Sequence, residues 1–389
     1  MLKIGLVGVG NIGRTHLKAY QEFPDQCEIV ALCDIYPQHA VDKQVELGLT
    51  AVPVYQSAAE MLAEATLDLV SVCTPPSSHA EIAIACLNAG VNVLVEKPMA
   101  PSLEECDAMM AAEKASGKML SVVAQNRFRD DMAILKAAVD SGLIGRITHM
   151  QVNSSWWRGR PYYDLWWRGT WASEGGGCTL NHAVHHVDLT LWLAGQPKSV
   201  VSVLANTAHD NSEVEDLSIA ILELDRGLAE ITASVVDHGE EQSIVIHGEK
   251  ARVSQPWKAV ADTTQGNGFP MPGGDPELVA RLNAIADSHV PLAHEGHPGQ
   301  IGDVLAAVRD GRRPAIGGQD GRAAVELITA IYESGNEHRT VTLPLRPDDP
   351  YYGAGKLPQL ARHFYEKENS VEDLGGFIVV EGSPDPAQR

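Results

Sequence analysis

The stretch "KIGLVGVGNIGRTH" constrains the fold most, because Gly8, Gly10 and Gly13 stand in GxGxxG spacing. That spacing alone is common. Here an apolar run precedes it and a helical pattern follows, the strand–turn–helix context a dinucleotide site demands. Gly8 permits the tight turn, Gly10 lets backbone approach a pyrophosphate, and Gly13 lets helix and strand pack closely. Asn11 and Ile12 open the helix, whose free N–H groups and positive dipole end attract the anion. Asp34 ends the next strand, where a carboxylate can accept both ribose hydroxyls and would repel a 2′-phosphate. Ile35 and Tyr36 bring no cation, so NAD is predicted over NADP. The competing reading is a glycine-rich turn that binds nothing.

The pattern continues. Apolar runs at Lys3–Val7, Glu28–Cys33, Leu69–Cys73, Val91–Val95 and Leu120–Val123 read as strands. Helical segments lie between them, at Ile12–Phe23, His39–Leu47, Ala58–Ala63, His79–Ala89 and Leu103–Ser116. Alternation of this kind implies α/β architecture with a parallel sheet covered on both faces. A Rossmann dinucleotide-binding domain over residues 1–123 is the expectation.

After about residue 125 the texture changes. Helices are expected at Asp131–Ser141 and His182–Leu193, then runs of partial alternation at Ser199–Asn206, Leu217–Leu224, Leu228–Val235 and Gln242–His247. These predict a second α/β domain, residues 124–345, with a large open, mostly antiparallel sheet. Helices resume at Pro276–Ser288, Gln300–Arg309 and Gly321–Glu333. Residues 346–389 read as a tail with a short helix near Leu357–Glu366, either packing on the substrate domain or covering a neighbouring pocket. "TTQGNGFPMPGGDPE" reads as a surface loop by its turn residues.

Composition narrows the partners. The net charge of −21 over 389 residues argues against nucleic acid and anionic membranes. No apolar run approaches membrane-spanning length. With six scattered cysteines lacking a CxxC pair, and a first strand without a signal-peptide pattern, the reducing cytoplasm is the expectation.

Two further segments face the carboxyl edge of the sheet, where ligands of such folds bind. In "CTPPSSH", Thr74 and His79 can contact the cofactor, or Ser78 merely caps the next helix. In "VEKPMA", Glu96 and Lys97 follow a buried strand and are expected to contact the cofactor, against the bland reading of a surface lysine.

"NHAVHHVD" then puts three histidines into five residues. His182 and His186 have the HxxxH spacing of zinc ligands, but Ala183 stands where a metalloprotease needs glutamate and no third ligand is evident. No metal is expected, and a zinc hydrolase is the weakest reading. On one continuous helix at about 100° per residue, Asn181, His185, Asp188 and Trp192 form a polar stripe, with Val184, Val187 and Leu191 facing the core. His182 and His186 fall on a flank; His186 reads as a packed histidine, while His182 can reach substrate.

"WWRGRPYYDLWWRGTW" holds five of the seven tryptophans, with Arg158, Arg160, Arg168, Tyr162 and Tyr163. Aromatic faces stack on pyranose C–H faces while guanidinium groups bind hydroxyls. An aromatic core or subunit interface is the competing reading, and the arginines could equally grip a nucleotide-sugar diphosphate. His297, before a helix, lines the pocket or belongs to a surface loop.

With these motifs in the same order, the sequence resembles the Gfo/Idh/MocA oxidoreductases over residues 1–345. The resemblance rests on "GVGNIGRTH", "CTPPSSHAEIA", "VEKPMA", "NRF", "GGGCTLNHAVHHVDLTLWLAG" and "VTLPL". It implies NAD(P)-linked oxidation or reduction of sugars and cyclitols, a cis Pro98 that turns Lys97 into the site, and proton chemistry shared by Lys97 and His185. Many members carry aspartate where this chain has Asn181, which excludes a carboxylate–imidazolium pair there.

The expectation is therefore an NAD-dependent dehydrogenase of a secondary hydroxyl on a sugar, glycoside or cyclitol, at pyranose C3 in its sharpest form. His185 and Lys97 are the catalytic pair, in roles that could be exchanged. Arg127, Tyr163, Trp167, Arg168, Asn181, His182 and Asp188 are the substrate residues. A nucleotide-sugar dehydrogenase, a keto-sugar reductase and a non-catalytic NAD-binding regulator are the alternatives. An open sheet face predicts a homodimer or homotetramer.

Overall fold

Runs apolar on both faces build the first sheet. In the computed structural model, which describes residues 1–371, these are β1 (Leu2–Val7), β2 (Cys27–Cys33), β3 (Val54–Tyr55), β4 (Leu69–Val72), β5 (Asn92–Val95) and β6 (Leu120–Val122). They pair in parallel, in the order β3-β2-β1-β4-β5-β6. The intervening helices are α1 (Asn11–Gln21), α2 (Pro37–Leu47), α3 (Ala58–Glu64), α4 (His79–Asn88) and α5 (Leu103–Ser116). The order reverses between β1 and β4, so a crevice opens at their carboxyl ends. The two-residue β3 went unread because half-buried Val54 and Tyr55 carry too little apolar signal.

The second sheet has eight strands. α6 (Asp130–Asp140) leads into β7 (Ile147–Ser155), followed by α7 (Cys178–Asn181) and α8 (Val184–Ala194). Next come β8 (Ser199–Ala205), β9 (Leu217–Glu223), β10 (Leu228–Ser234), β11 (Ser243–Gly248), β12 (Arg252–Gln255) and β13 (Lys258–Val260). Then α9 (Pro276–Asp287), α10 (Gly296–Asp310), α11 (Gly318–Glu337), β14 (Val341–Thr342) and α12 (Lys356–Leu360) complete the described chain. The order is β13-β12-β11-β7-β10-β9-β8-β14, antiparallel except for the parallel β7–β10 pair.

One central strand, β7, was not expected. Its inward positions are Met150, Val152 and Ser154, while His149, Gln151 and Asn153 alternate with them, so apolar periodicity is faint. Helices α8 and α11 cover one face of this sheet. The other face carries exposed Val201, Val203, Ile219 and Ile221, with Val201 beside Ile221 and Val203 beside Ile219.

The segment after Leu345 straps both domains. Tyr351 and Tyr352 are buried; the Tyr352 hydroxyl bonds Asp107 of α5 and accepts from Arg322 of α11. The expected helix to Glu366 stops at Leu360, where Ala361 turns extended and the Phe364 N–H reaches the Glu213 carbonyl. Residues 372–389 of the expected tail lie outside the described residues.

Candidate active site

The glycine loop divides into two kinds of glycine. Gly8 sits at φ +92°, and a Cβ there would lie 2.7 Å from the Cys73 carbonyl carbon; at Gly13 it would strike the Gly8 carbonyl oxygen. Those two are required by the chain itself. A Cβ on Gly10 would meet nothing among the described residues, so the space it leaves is available to a ligand. Gly10 caps α1 without a side-chain acceptor, and no acidic residue stands in the first turn. Exposed Asn11 and half-buried Ile12 follow. This bare helix end fits a pyrophosphate. Asp34 sits at the loop mouth, its Oδ2 accepting the Val9 N–H at 2.8 Å and its Oδ1 the Tyr36 N–H at 2.9 Å. The residues present fit a dinucleotide.

Beyond β4, Thr74 is half-buried at the same edge, accepting from Ser78 Oγ at 2.8 Å. Ser78 therefore turns back on Thr74 and Pro75 rather than capping α4. The expectation for His79 is corrected: it is fully buried, with Nδ1 2.9 Å from the Pro98 carbonyl and Nε2 2.7 Å from that of Thr74. Both ring nitrogens face backbone carbonyls inside the protein, one of them donating to pin its turn, and none faces a cofactor.

Glu96 is corrected on similar grounds. Its buried carboxylate lies 2.9 Å from His16 Nε2 and 3.6 Å from His297 Nε2, and its Oε2 accepts the Lys97 N–H at 3.1 Å. The two histidines hold that carboxyl well below its usual range, against the effect of burial. His297 thus lies against the turn from α10. Glu96 holds the lysine turn from below; the Lys97–Pro98 bond is cis. Sequence reading missed His16, whose only signal is a polar residue on the buried face of α1. His16, Glu96 and His297 are, among the described residues, the one cluster with three ligating atoms mutually close enough for a metal. The 2.9 Å contact is a hydrogen bond and His16 Nδ1 faces Ser71 Oγ at 3.2 Å, so the group reads as a hydrogen-bonded network.

Glycines 175–177 have their own reason. A Cβ on Gly176 would strike the Tyr332 hydroxyl, and one on Gly177 the Glu215 carbonyl oxygen. The Tyr332 hydroxyl donates to Glu215 Oε1 at 2.9 Å and accepts the Gly177 N–H at 3.0 Å. Thr179 N–H also donates to Glu215 Oε1, at 3.0 Å. Burial pushes the Glu215 carboxyl up to about 7. Neither residue was read as part of the site, because Tyr332 hides in the helical pattern of α11.

The histidine segment is not one helix. α7 ends at Asn181 and α8 starts at Val184, with the His182 and Ala183 N–H groups both donating to the Cys178 carbonyl. Asn181 therefore leaves the wheel drawn through His185; its Nδ2 donates to the Gly176 carbonyl at 2.7 Å, so the amide is anchored through its nitrogen. Arg127 and Asp188 need correction too. The guanidinium donates to both Asp188 oxygens at 2.8 and 2.6 Å, reaches Asp320 at 3.0 Å and stacks 5.6 Å from Trp192. The two groups are spent largely on one another, and Arg127 joins Asp188 of α8 to Asp320 of α11.

His185 remains, half-buried on α8; it and Lys97 line one small cavity of about 20 Å³, enclosed otherwise mainly by apolar side chains such as Val122, Val184 and Val325. Burial, and then the Lys97 charge, lower its pKa well below the ordinary imidazole value. The neutral ring is a proton acceptor, and the ammonium beside it can stabilise an alkoxide. His186 is buried, its pKa lowered to about 4 by burial, with Nδ1 lacking a partner among the described residues.

The aromatic segment splits. Tyr163, expected at the substrate, is 1 % exposed and packs edge-on against His209 at 4.7 Å: it is core. Trp171 is core as well, 5.1 Å from Tyr332. Trp167 and Arg168 are half-buried and stack at 4.0 Å, while His182 lies 5.8 Å from Trp156 and 6.1 Å from Tyr162.

A glycine cradle at a sheet switch point, facing a lysine and a neutral histidine from a second domain, defines an oxidoreductase that uses a nicotinamide dinucleotide. Residues 2–124 match the oxidoreductase family model with NAD-binding Rossmann fold, and residues 132–254 match the GFO/IDH/MocA C-terminal domain. The WlbA dehydrogenase from Bordetella pertussis, in complex with NADH and UDP-GlcNAcA, is 31 % identical with TM-score 0.74, over 89 % of this chain and 98 % of that one. Myo-inositol 2-dehydrogenase from Thermotoga maritima is 25 % identical over 88 % of this chain and 98 % of its own. The scyllo-inositol 2-dehydrogenase (NADP(+)) IolW of Bacillus subtilis is 26 % identical over 88 % and 96 %. The chain belongs to the GFO/IDH/MocA oxidoreductase family, as an NAD(P)-dependent oxidoreductase acting on CH–OH groups with NAD as cofactor.

Proposed function

We propose that this protein oxidises a secondary hydroxyl of a sugar, glycoside or cyclitol, and that on a pyranose the carbon is C3. The observation that carries the reading is the meeting of Lys97 and His185 from the two domains in one cavity. NAD, when bound at the Gly8–Gly13 loop, supplies the hydride acceptor. His185 accepts the hydroxyl proton in its neutral form, and Lys97 stabilises the oxygen as negative charge develops. Asn181 Oδ1 accepts from a neighbouring hydroxyl, while Trp167 and Arg168 bind the ring. Such acid–base help is worth about 10²–10⁴-fold. The same groups run the reverse reaction on a keto sugar.

The choice of C3 rests on Asn181 and the aromatic segment, and on similarity to WlbA, whose structure holds a nucleotide sugar. A panel of free sugars, glycosides, inositols and UDP-sugars, read by NADH absorbance, tests it. Oxidation at C3 of a pyranose is expected; turnover of inositols alone contradicts it. Exposed Val201, Val203, Ile219 and Ile221 support a homodimer or homotetramer formed through the open sheet. Six buried, unpaired cysteines favour the reducing cytoplasm.

A further inference from the structure

The two arginines beside the histidine segment are held in a way that a neutral sugar does not explain. Arg168 stacks 4.4 Å from the Tyr162 ring centroid and 4.0 Å from that of Trp167. Arg158 stacks 5.4 Å from Trp156 and 5.6 Å from Tyr162. Tyr162 is thus shared by both guanidinium groups. His182 lies against the same Trp156 and Tyr162 rings and is 4 % exposed.

Each arginine has one carboxylate, and each uses a single nitrogen for it: Arg168 Nη1 to Glu174 at 2.5 Å, Arg158 Nη1 to Glu240 at 2.6 Å. Among the described residues, buried Arg168 Nε and His182 Nδ1 have no hydrogen-bond partner. A buried N–H without an acceptor is costly, so its retention signals a missing partner. Stacking fixes the guanidinium planes and leaves their N–H edges for a planar or tetrahedral anion. His182 also joins this cluster to the chemistry: after burial, the charges of Arg158, Arg168 and Lys97 lower its pKa. All this stands in a protein of net charge −21, where clustered cations are the exception.

We propose that Arg168, Arg158 and His182 form an anion subsite next to Lys97 and His185, so that the substrate is an acidic sugar carrying a carboxylate or phosphate. This rests on the dehydrogenase reading above and narrows its substrate class. The missing acceptor of Arg168 Nε and His182 Nδ1 is that anionic oxygen.

Matched pairs test it: gluco-, galacto- and manno-configured sugars against their uronates and their 1-phosphates, each by NADH formation. Hydrogen bonds to a charged group are worth about 10–100-fold here. The acidic member of the reactive configuration should therefore exceed its neutral partner in kcat/KM by about that factor. The uronate and phosphate arms tell which anion is used. Arg168→Gln and Arg158→Gln should each collapse the acidic-to-neutral ratio, and Arg168→Lys should keep part of it; general damage lowers both members together. Equal rates for the pairs in the wild-type enzyme, or a ratio that survives both glutamine variants, overturn the subsite. If no sugar turns over, the dehydrogenase reading fails separately. Tryptophan fluorescence titration of the NADH complex with the same pairs then decides the subsite. Tighter binding of the acidic member that Arg168→Gln abolishes supports it, and equal affinity overturns it.

Discussion

At the scale of single residues, the glycines separate ligand from fold. Gly177→Ala drives a methyl into the Glu215 carbonyl oxygen, so it should lower both Tm and activity. Gly10→Ala meets nothing among the described residues, so Tm should hold while NAD affinity, measured by fluorescence titration, falls. Unchanged NAD affinity in that variant contradicts the loop assignment. His185 carries a pH prediction. Its lowered pKa keeps the active neutral ring populated as pH falls, so kcat should stay flat through pH 6.5 and drop only below it. A limb centred at or above 6.5 contradicts the assignment. That Lys97 and His185 would meet was legible in sequence because their motifs name them, and the two line one cavity. The saturation of Arg127 by Asp188, and of His79 by two carbonyls, was not, because partners far apart in the chain decide it.

At the scale of elements, the strands of the first sheet other than β3 were legible because both faces are buried and the runs are largely apolar. β7 was not, since one of its faces is polar and the other includes Ser154. The break between α7 and α8 was invisible too, because the wheel continues smoothly through His182 and Ala183 while the bond to Cys178 is tertiary detail. What holds α7 in place is the Glu215–Tyr332 pair beneath it. Tyr332→Phe removes the donor to Glu215 and the acceptor for the Gly177 N–H. Glu215 Oε1 keeps the Thr179 N–H, but the buried Gly177 N–H is left unpaired at a cost of about 1–3 kcal/mol, so urea unfolding should show a loss of that order. A change under about 0.5 kcal/mol, the range of neutral surface substitutions, would contradict this role.

At the scale of the molecule, buried histidines link stability to pH. His186 has a folded pKa of about 4 against an ordinary value of 6.5. The unfolded chain therefore binds the extra proton first, and stability falls as pH drops from about 6.5 toward 4. Integrated over that window the loss reaches about 3 kcal/mol at most. His186→Asn should flatten the fall of Tm across it; an unchanged slope contradicts the assignment. The two domains matter jointly, since the cavity takes Lys97 from one and His185 from the other. The most direct test of that pairing is the kcat of Lys97→Ala, measured beside its affinity for NAD on a substrate found by the panel. The account predicts a fall in kcat of about 10²-fold or more, with NAD binding retained. Turnover near the wild-type rate would contradict it.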